Sequence, residues 1–280
     1  MPNRIGLLLP PLYLGLAISL SGCPLTLPGG TDPTDNAADR QRYQPALDVR
    51  WQWQLKGTIN TDYDVELYDI DLFDTSSEQI AALQDAGRRV ICYFSAGSYE
   101  NWRPDAAQFN PESLGHTLDG WADERWLDVR DPSLEPIMKA RLDLAAEKGC
   151  DGVEPDNVDG YANHTGFNLT GDDQLGFNRF LAREAHARGL AIALKNDLDQ
   201  IEDLVDDFDF AINEECFAYN ECEALTPFIE AGKPVLNVEY DWTLATDPEA
   251  REALCDRARQ LNFRTLILPL ELDDRFRFSC

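Results

Sequence analysis

The chain has 280 residues and a formal net charge of −27, with 51 acidic side chains against 24 basic ones. That excess repels nucleic-acid phosphates and anionic membrane surfaces, so a neutral or cationic partner is expected and nucleic acid is not. The length suits one sizeable core, and single α/β barrels commonly reach it.

At the N-terminus Arg4 precedes an apolar run from Ile5 to Leu20, interrupted by Pro10-Pro11 and closed by Leu20-Ser21-Gly22-Cys23. A charged start, a short apolar segment and small residues describe a secretory signal over residues 1–22, not a membrane span. Its end resembles a bacterial lipobox, in which the cysteine is lipidated. Cys23 is therefore expected to anchor an exported lipoprotein to a membrane, facing the periplasm or the cell surface. Residues 23–47 are rich in Pro, Gly, Thr, Asp and Asn without periodicity, and read as a flexible tether to a domain over 48–280.

From Trp51 onward eight short apolar segments follow: Trp51–Leu55, Val65–Ile70, Val90–Ser95, Gly152–Asp156, Ala191–Asn196, Phe208–Glu214, Val235–Tyr240 and Thr265–Leu270. Amphipathic stretches separate most of them: Ser77–Ala86, Leu134–Lys148, Asp172–Arg188, Leu198–Asp206, Cys222–Ala231 and Pro248–Leu261. Several stop at glycine, as in Lys148-Gly149 and Ala231-Gly232. Repeated strand–helix units predict a parallel sheet, and eight strands predict a (β/α)8 TIM barrel. The first connection, Lys56–Asp64, is too short for a helix, so the first unit is degenerate. Trp126–Val129 has the pattern of a ninth strand but is placed in a long loop after the third strand.

Seven cysteines less Cys23 leave six, an even number that points to disulfides in an exported chain. Cys216 with Cys222 would close one short loop, and Cys255 with Cys280 would tie down the C-terminus. Cys92 and Cys150, on strands expected to be neighbours, are either paired or buried thiols. The cysteine spacings and three scattered histidines (His116, His164, His186) form no zinc pattern, and neither metal nor cofactor is expected.

Barrel active sites lie at the C-terminal ends of the strands. Period-two alternation aligns Leu67, Asp69 and Asp71; Glu154 and Asp156; Ala193, Lys195 and Asp197; Phe210, Ile212 and Glu214; and Asn237 and Glu239. Polar side chains thus gather at one end, with Glu154 a layer below Asp156 and Glu215 facing away. A ring of carboxylates without metal-type histidines suits glycoside hydrolysis, which needs one acid and one nucleophile or base. Asp156 and Glu214, at the tips of the fourth and sixth strands, are the candidate pair. Asp69, Asp71, Glu154, Asn157, Lys195 and Glu239 would hold sugar hydroxyls or amines. Trp102, Trp121, Trp126, Tyr161, Phe217 and Tyr219 lie in loops after strand ends, where aromatics stack on sugars. Lys195 also raises a Schiff-base lyase as an alternative, and a polysaccharide-binding lipoprotein without catalysis is another.

Several segments together resemble glycoside hydrolase family 114. They are Trp51-Gln52-Trp53-Gln54-Leu55, Tyr68-Asp69-Ile70-Asp71-Leu72-Phe73-Asp74, Ile91-Cys92-Tyr93-Phe94-Ser95-Ala96-Gly97, Glu154-Pro155-Asp156-Asn157, Leu194-Lys195-Asn196-Asp197 and Asn213-Glu214-Glu215-Cys216. Members of that family include endo-α-1,4-polygalactosaminidases. The resemblance implies a (β/α)8 fold, cleavage of α-1,4-linked galactosamine-rich polysaccharide, and catalytic carboxylates at Asp156 and Glu214. Tyr93, Asn196, Asp197 and Tyr240 join the expected substrate contacts. A retaining mechanism is expected, with Asp156 as nucleophile and Glu214 as acid and base, or with the two roles exchanged. Deacetylated galactosamine polymers are cationic, which matches the charge of the chain.

Overall fold

A computed structural model describes residues 42–280. The expected signal peptide, the expected lipidation at Cys23 and residues 23–41 of the expected tether lie outside the described residues. Residues 42–47, also expected as tether, lie against the barrel: Arg42 pairs with Asp209 at 3.0 Å, and Arg89 lies over the Tyr43 ring at 5.3 Å.

In chain order the strands are β1 (Trp51–Gln54), β2 (Leu67–Asp71), β3 (Arg89–Ser95), β4 (Ser98–Glu100), β5 (Leu114–Leu118), β6 (Trp121–Leu127), β7 (Gly152–Asp156), β8 (Ala191–Lys195), β9 (Phe210–Glu214), β10 (Val235–Glu239), β11 (Arg264–Ile267) and β12 (Phe278–Ser279). The main sheet runs β1-β2-β3-β7-β8-β9-β10-β11-β12, parallel throughout except for the last pair. These eight parallel strands are those expected from the sequence, and the fold is a (β/α)8 barrel. Trp126–Val129 differs from expectation: Trp126 and Leu127 belong to β6, the central strand of an antiparallel flap β4-β6-β5 inserted between β3 and β7.

Alternation divides the apolar residues into two cores. Trp51, Leu67, Ile91, Ala193, Ile212 and Leu266 fill the barrel interior. Tyr68, Ile70, Cys92, Val153, Ile192 and Leu194 meet the helix layer. Helix α1 (Ser77–Asp85) opens on a capping box of Ser76 and Gln79. Helix α2 (Leu134–Lys148) ends at Gly149 with φ 88°, a conformation that costs a residue with a Cβ about 1–2 kcal/mol. Helix α3 (Gly171–Ala187) is capped by Thr170 with Asp173, and α8 (Pro248–Leu261) by Asp247 with Pro248 in its first turn. The two intervening expected helices shrink to single turns, α4 (Ile201–Leu204) and α6 (Thr226–Glu230), each led by a 3-10 turn, and short turns α5 (Cys216–Tyr219) and α7 (Trp242–Thr246) follow β9 and β10.

The seam between β1 and β11 is closed by the C-terminal segment. Trp51 Nε1 donates to Arg264 O at 2.8 Å, and Arg277 donates to Trp51 O at 2.8 Å and to Gln52 Oε1 at 2.7 Å. Three disulfides fasten the barrel: Cys92–Cys150 joins β3 to the start of β7, Cys216–Cys222 closes the loop after β9, and Cys255–Cys280 ties α8 to the segment after β12.

Candidate active site

Asp156, Lys195 and Glu214 are the last residues of β7, β8 and β9, three successive strands, so they stand side by side at the C-terminal rim. Each is followed at once by a residue in the left-handed region: Asn157 at φ 59°, Asn196 at φ 50° and Glu215 at φ 60°. Asparagine tolerates that conformation because its short amide bonds to nearby backbone. These turns end each strand abruptly and leave its last side chain aimed into the barrel mouth.

The Lys195 ammonium is the centre of charge. It lies 3.1 Å from Glu154 Oε1, 3.2 Å from Asp156 Oδ1 and 3.3 Å from Glu214 Oε2, and 4.7 Å from the centroid of the Trp53 ring. Distances of 3.2 and 3.3 Å to one nitrogen hold those two oxygens of Asp156 and Glu214 within 6.5 Å of each other. Burial opposes the charged amine, but Asp156, Glu154 and Glu214 outweigh it and hold the pKa of Lys195 well above the ordinary value. A lysine so pinned lacks the free amine a Schiff base requires, which opposes the lyase reading.

Asp156 also accepts from Tyr93 Oη at 3.0 Å and from the Asn157 amide at 2.7 Å. Glu214 accepts from Tyr240 Oη, while its backbone N–H donates to Asn196 Oδ1 at 2.9 Å. Burial, with the neighbouring charges of Asp156 and Glu214 respectively, pushes the phenols of Tyr93 and Tyr240 well above their usual range, so both remain donors. Beneath them Asp69 and Glu154 are fully buried; Glu154 Oε1 faces the Lys195 ammonium, and the other three carboxyl oxygens meet no donor among the described residues. Burial raises Asp69 to about 7 and Glu154 well above the carboxylate range. Around neutral pH the pair therefore holds a proton of its own, which supplies the missing donor.

Above this floor opens a cleft of about 840 Å³, lined by Asp156, Lys195, Asn196, Glu214, Tyr93 and Tyr240 and walled by the flap. Trp102 and Trp121 stand on its rim, 51% and 41% exposed. A concave acidic cleft with two adjacent carboxylates and aromatic walls fits a sugar polymer.

Comparison with known proteins agrees with that chemistry. The sequence model described as glycoside-hydrolase family GH114 matches residues 32–280. The chain belongs to glycoside hydrolase family GH114. It resembles the crystal structure of Aspergillus fumigatus Ega3 in complex with galactosamine, with 45% identity and a TM-score of 0.81 over 85% of this chain and 98% of that one. The glycoside hydrolase domain of PelA from Pseudomonas aeruginosa shares the fold at 15% identity and a TM-score of 0.62, covering 82% and 97% of the two chains. An uncharacterized protein of Deinococcus radiodurans is 27% identical over 250 residues, 77% of this chain and 79% of its own.

Within this GH114 barrel the expected site residues separate into three groups. Asp156, Glu214, Tyr93, Asn157, Lys195, Asn196 and Tyr240 line the cleft. Asp69 and Glu154 lie beneath it, out of reach of substrate. Asp71, which also borders the cleft, and Asp197 and Glu239, which do not, are occupied by the protein itself. Both oxygens of Asp71 accept from Arg103, at 3.0 and 2.7 Å. Asp197 is buried in its own left-handed turn and accepts from Asn178 at 2.9 Å.

The expected alternation fails at β10. Leu236 and Val238 fill the barrel interior, so Asn237 and Glu239 point to the helix layer, where Glu239 accepts from the Phe217 and Ala218 amides. Their polarity serves the loop after β9, and Tyr240 takes the inward position. Glu215, expected to face away, lines the cleft because the left-handed turn breaks the alternation. Of the loop aromatics, Trp102, Trp121 and Trp126 reach the cleft, while Phe217 is buried against Phe263. Arg103 and Glu124 line it too, and neither was singled out from sequence.

Proposed function

We propose that the chain hydrolyses α-1,4-linked galactosamine-rich polysaccharide with retention of anomeric configuration. The observation that carries this reading is the Lys195-bridged carboxylate pair, whose facing oxygens lie within 6.5 Å. Retention needs about 5–5.5 Å between the carboxyl groups and inversion about 6.5–9.5 Å to admit a water. The 45% identity to a protein crystallised with galactosamine supports the substrate class.

In this reading Asp156 attacks the anomeric carbon while Glu214 gives its proton to the departing glycosidic oxygen. Glu214 then takes a proton from the water that releases the glycosyl–Asp156 ester, which restores both groups. Tyr93 and the Asn157 amide orient Asp156, and Tyr240 with Asn196 orients Glu214. Lys195 balances the charge that shifts between the two carboxyls.

The test is hydrolysis of α-1,4-galactosamine oligomers followed by proton NMR. An α-anomer as first product and losses of about 10²–10⁴-fold in Asp156→Asn and Glu214→Gln are expected. A β-anomer first would exclude retention, and full activity in either variant would exclude the assignment. We further propose that the enzyme is exported and lipid-anchored at Cys23, a reading supported by the leader pattern and by three disulfides. Mass spectrometry of the mature N-terminus tests it, and an unmodified Cys23 would rule it out.

A further inference from the structure

Glu124, in the central strand of the flap, is a carboxyl with one oxygen spoken for and one left over. Only 7% of the residue is exposed, yet it lines the cleft. Oε2 accepts from Ser98 Oγ at 2.7 Å. Ser98 Oγ lies 2.6 Å from Ser95 Oγ, which in turn accepts from Asn157 Nδ2 at 2.9 Å. The hydrogens of this chain all run one way, from the turn that carries Asp156 to Glu124 Oε2. Oε1 meets no hydrogen-bond donor among the described residues, and no lysine, arginine or histidine pairs with the group.

That isolation has a cause in the flap. Glu100, directly opposite Glu124 in the β4–β6 register, takes Arg103 at 2.7 Å, and Arg141 lies between Glu100 and Asp105. The nearby guanidinium groups are thereby committed to Asp71, Glu100 and Asp105. Lys195 is committed to the floor, and Lys56 to Glu271. Burial and the charges of Glu100 and Asp156 push Glu124 up to about 7, the state of an acid that lacks a cation. A buried acid with one free oxygen facing a cleft is poorly solvated and unpaired, and a ligand cation removes both costs at once.

We propose that Glu124 recognises the free ammonium group of an amino sugar, bound on the Asp156 side of the scissile bond, and selects it over the N-acetylated sugar. The position follows from strand order. Ser95 and the flap belong to the β3 side of β7, whereas Glu214 lies two strands away on the other side. The link through Ser98 keeps Glu124 Oε2 within 6.1 Å of Asn157 Nδ2, from bonds of 2.7 and 3.4 Å. That span is about one sugar ring, so the selected amine belongs to a residue at or next to the one being transferred, on the side opposite the leaving group. An acetamide there brings no charge and adds bulk against a nearly closed wall. This assignment rests on the proposed function, and makes the enzyme a reader of deacetylation at a defined subsite.

Calorimetric binding of one α-1,4-galactosamine oligomer, before and after chemical N-acetylation, tests the proposal. The binding partners are the Asp156→Asn protein, which spares the ligand from hydrolysis, and the same protein carrying Glu124→Gln. Glutamine keeps the shape and still accepts from Ser98, and a ratio of affinities is independent of the fraction of folded protein. The preference for the free-amine oligomer is expected to fall roughly ten- to a hundredfold in Glu124→Gln, the effect of losing a charged hydrogen bond. Glu124→Asp restores part of it. An unchanged ratio, with both affinities reduced alike, would make Glu124 a structural support of Ser98 and overturn the proposal. Wild-type hydrolysis is assayed alongside. A preference that depends on Glu124 without any cleavage would remove the hydrolytic reading and leave the recognition standing, whereas binding of neither oligomer would remove both.

Discussion

Replacing Lys195 by methionine removes the single cation among the described residues that faces Glu154, Asp156 and Glu214, at 3.1, 3.2 and 3.3 Å. At an effective dielectric of about 20, each such contact has a Coulomb energy of about 5 kcal/mol. Most of the sum is cancelled by desolvation of the ammonium and, for the part-exposed Asp156 and Glu214, by solvent screening. Breaking a buried pair by deleting one partner costs about 3–5 kcal/mol net, equivalent to about 10 °C of Tm for a domain of this size. The loss is expected to depend on pH with a definite sign. Asp69 and Glu154 have raised pKa values, so at pH 5 both are protonated and the deletion leaves fewer buried charges unbalanced. At pH 8 the floor is under stronger pressure to ionise, and the penalty grows. Scanning calorimetry of wild type and Lys195→Met at pH 5 and pH 8 measures this difference directly. Equal Tm losses at the two pH values, or no loss at pH 8, would refute the view that this lysine holds the acidic floor together.

Tyr240→Phe removes the phenol donor to Glu214 and is expected to lower kcat about 10–100-fold with KM little changed, because the lost bond is charge-assisted; an unchanged kcat would contradict its orienting role. Asp69 and Asp197 are each raised to about 7 by burial, against about 3.9 in the unfolded chain. Between about pH 4 and 7 the folded state therefore binds more protons than the unfolded one, and its stability falls as pH rises through that window. A Tm series across it checks the trend, Asp197→Asn should flatten it, and a Tm that climbs from pH 5 to 8 would count against it. Replacing Cys216 and Cys222 together by alanine opens a loop with a sequence separation of 6, worth about 2 kcal/mol of loop entropy. Tm should drop by about 4–8 °C, and kcat should fall because the loop begins two residues after Glu214; the same kcat and Tm as wild type would show the bridge to be idle.

Much of the site was readable because a strand sorts its side chains by parity. Asp156 follows Glu154 by two and Glu214 follows Ile212 by two, so both carboxylates could be set at the rim without coordinates. The same rule misled at β10, where Leu236, Val238 and Tyr240 compete with Asn237 and Glu239 for the interior. Polarity alone cannot tell a side chain that meets substrate from one that meets the backbone amides of the next loop. Asp71 and Asp197 were obscured for a related reason, since their partners Arg103 and Asn178 are 32 and 19 residues away. Glu124 had a weak signal: it shares a face with Trp126 at period two, and both are buried. The antiparallel flap that gives this face meaning interrupts the strand–helix rhythm from which the barrel was read.

The way the ring is closed also governs how the chain must acquire its shape. The bond from Arg277 to Trp51 spans 226 residues, and β12 joins β11 only after that arginine has been made. Until the C-terminal segment is in place, β1 lacks the contacts that complete the circle. During that interval both rims of the growing sheet present unpaired backbone, the surface on which chains stick to one another. The Cys255–Cys280 bridge holds that closing segment to α8, so the ring is fastened covalently close to where the chain completes it.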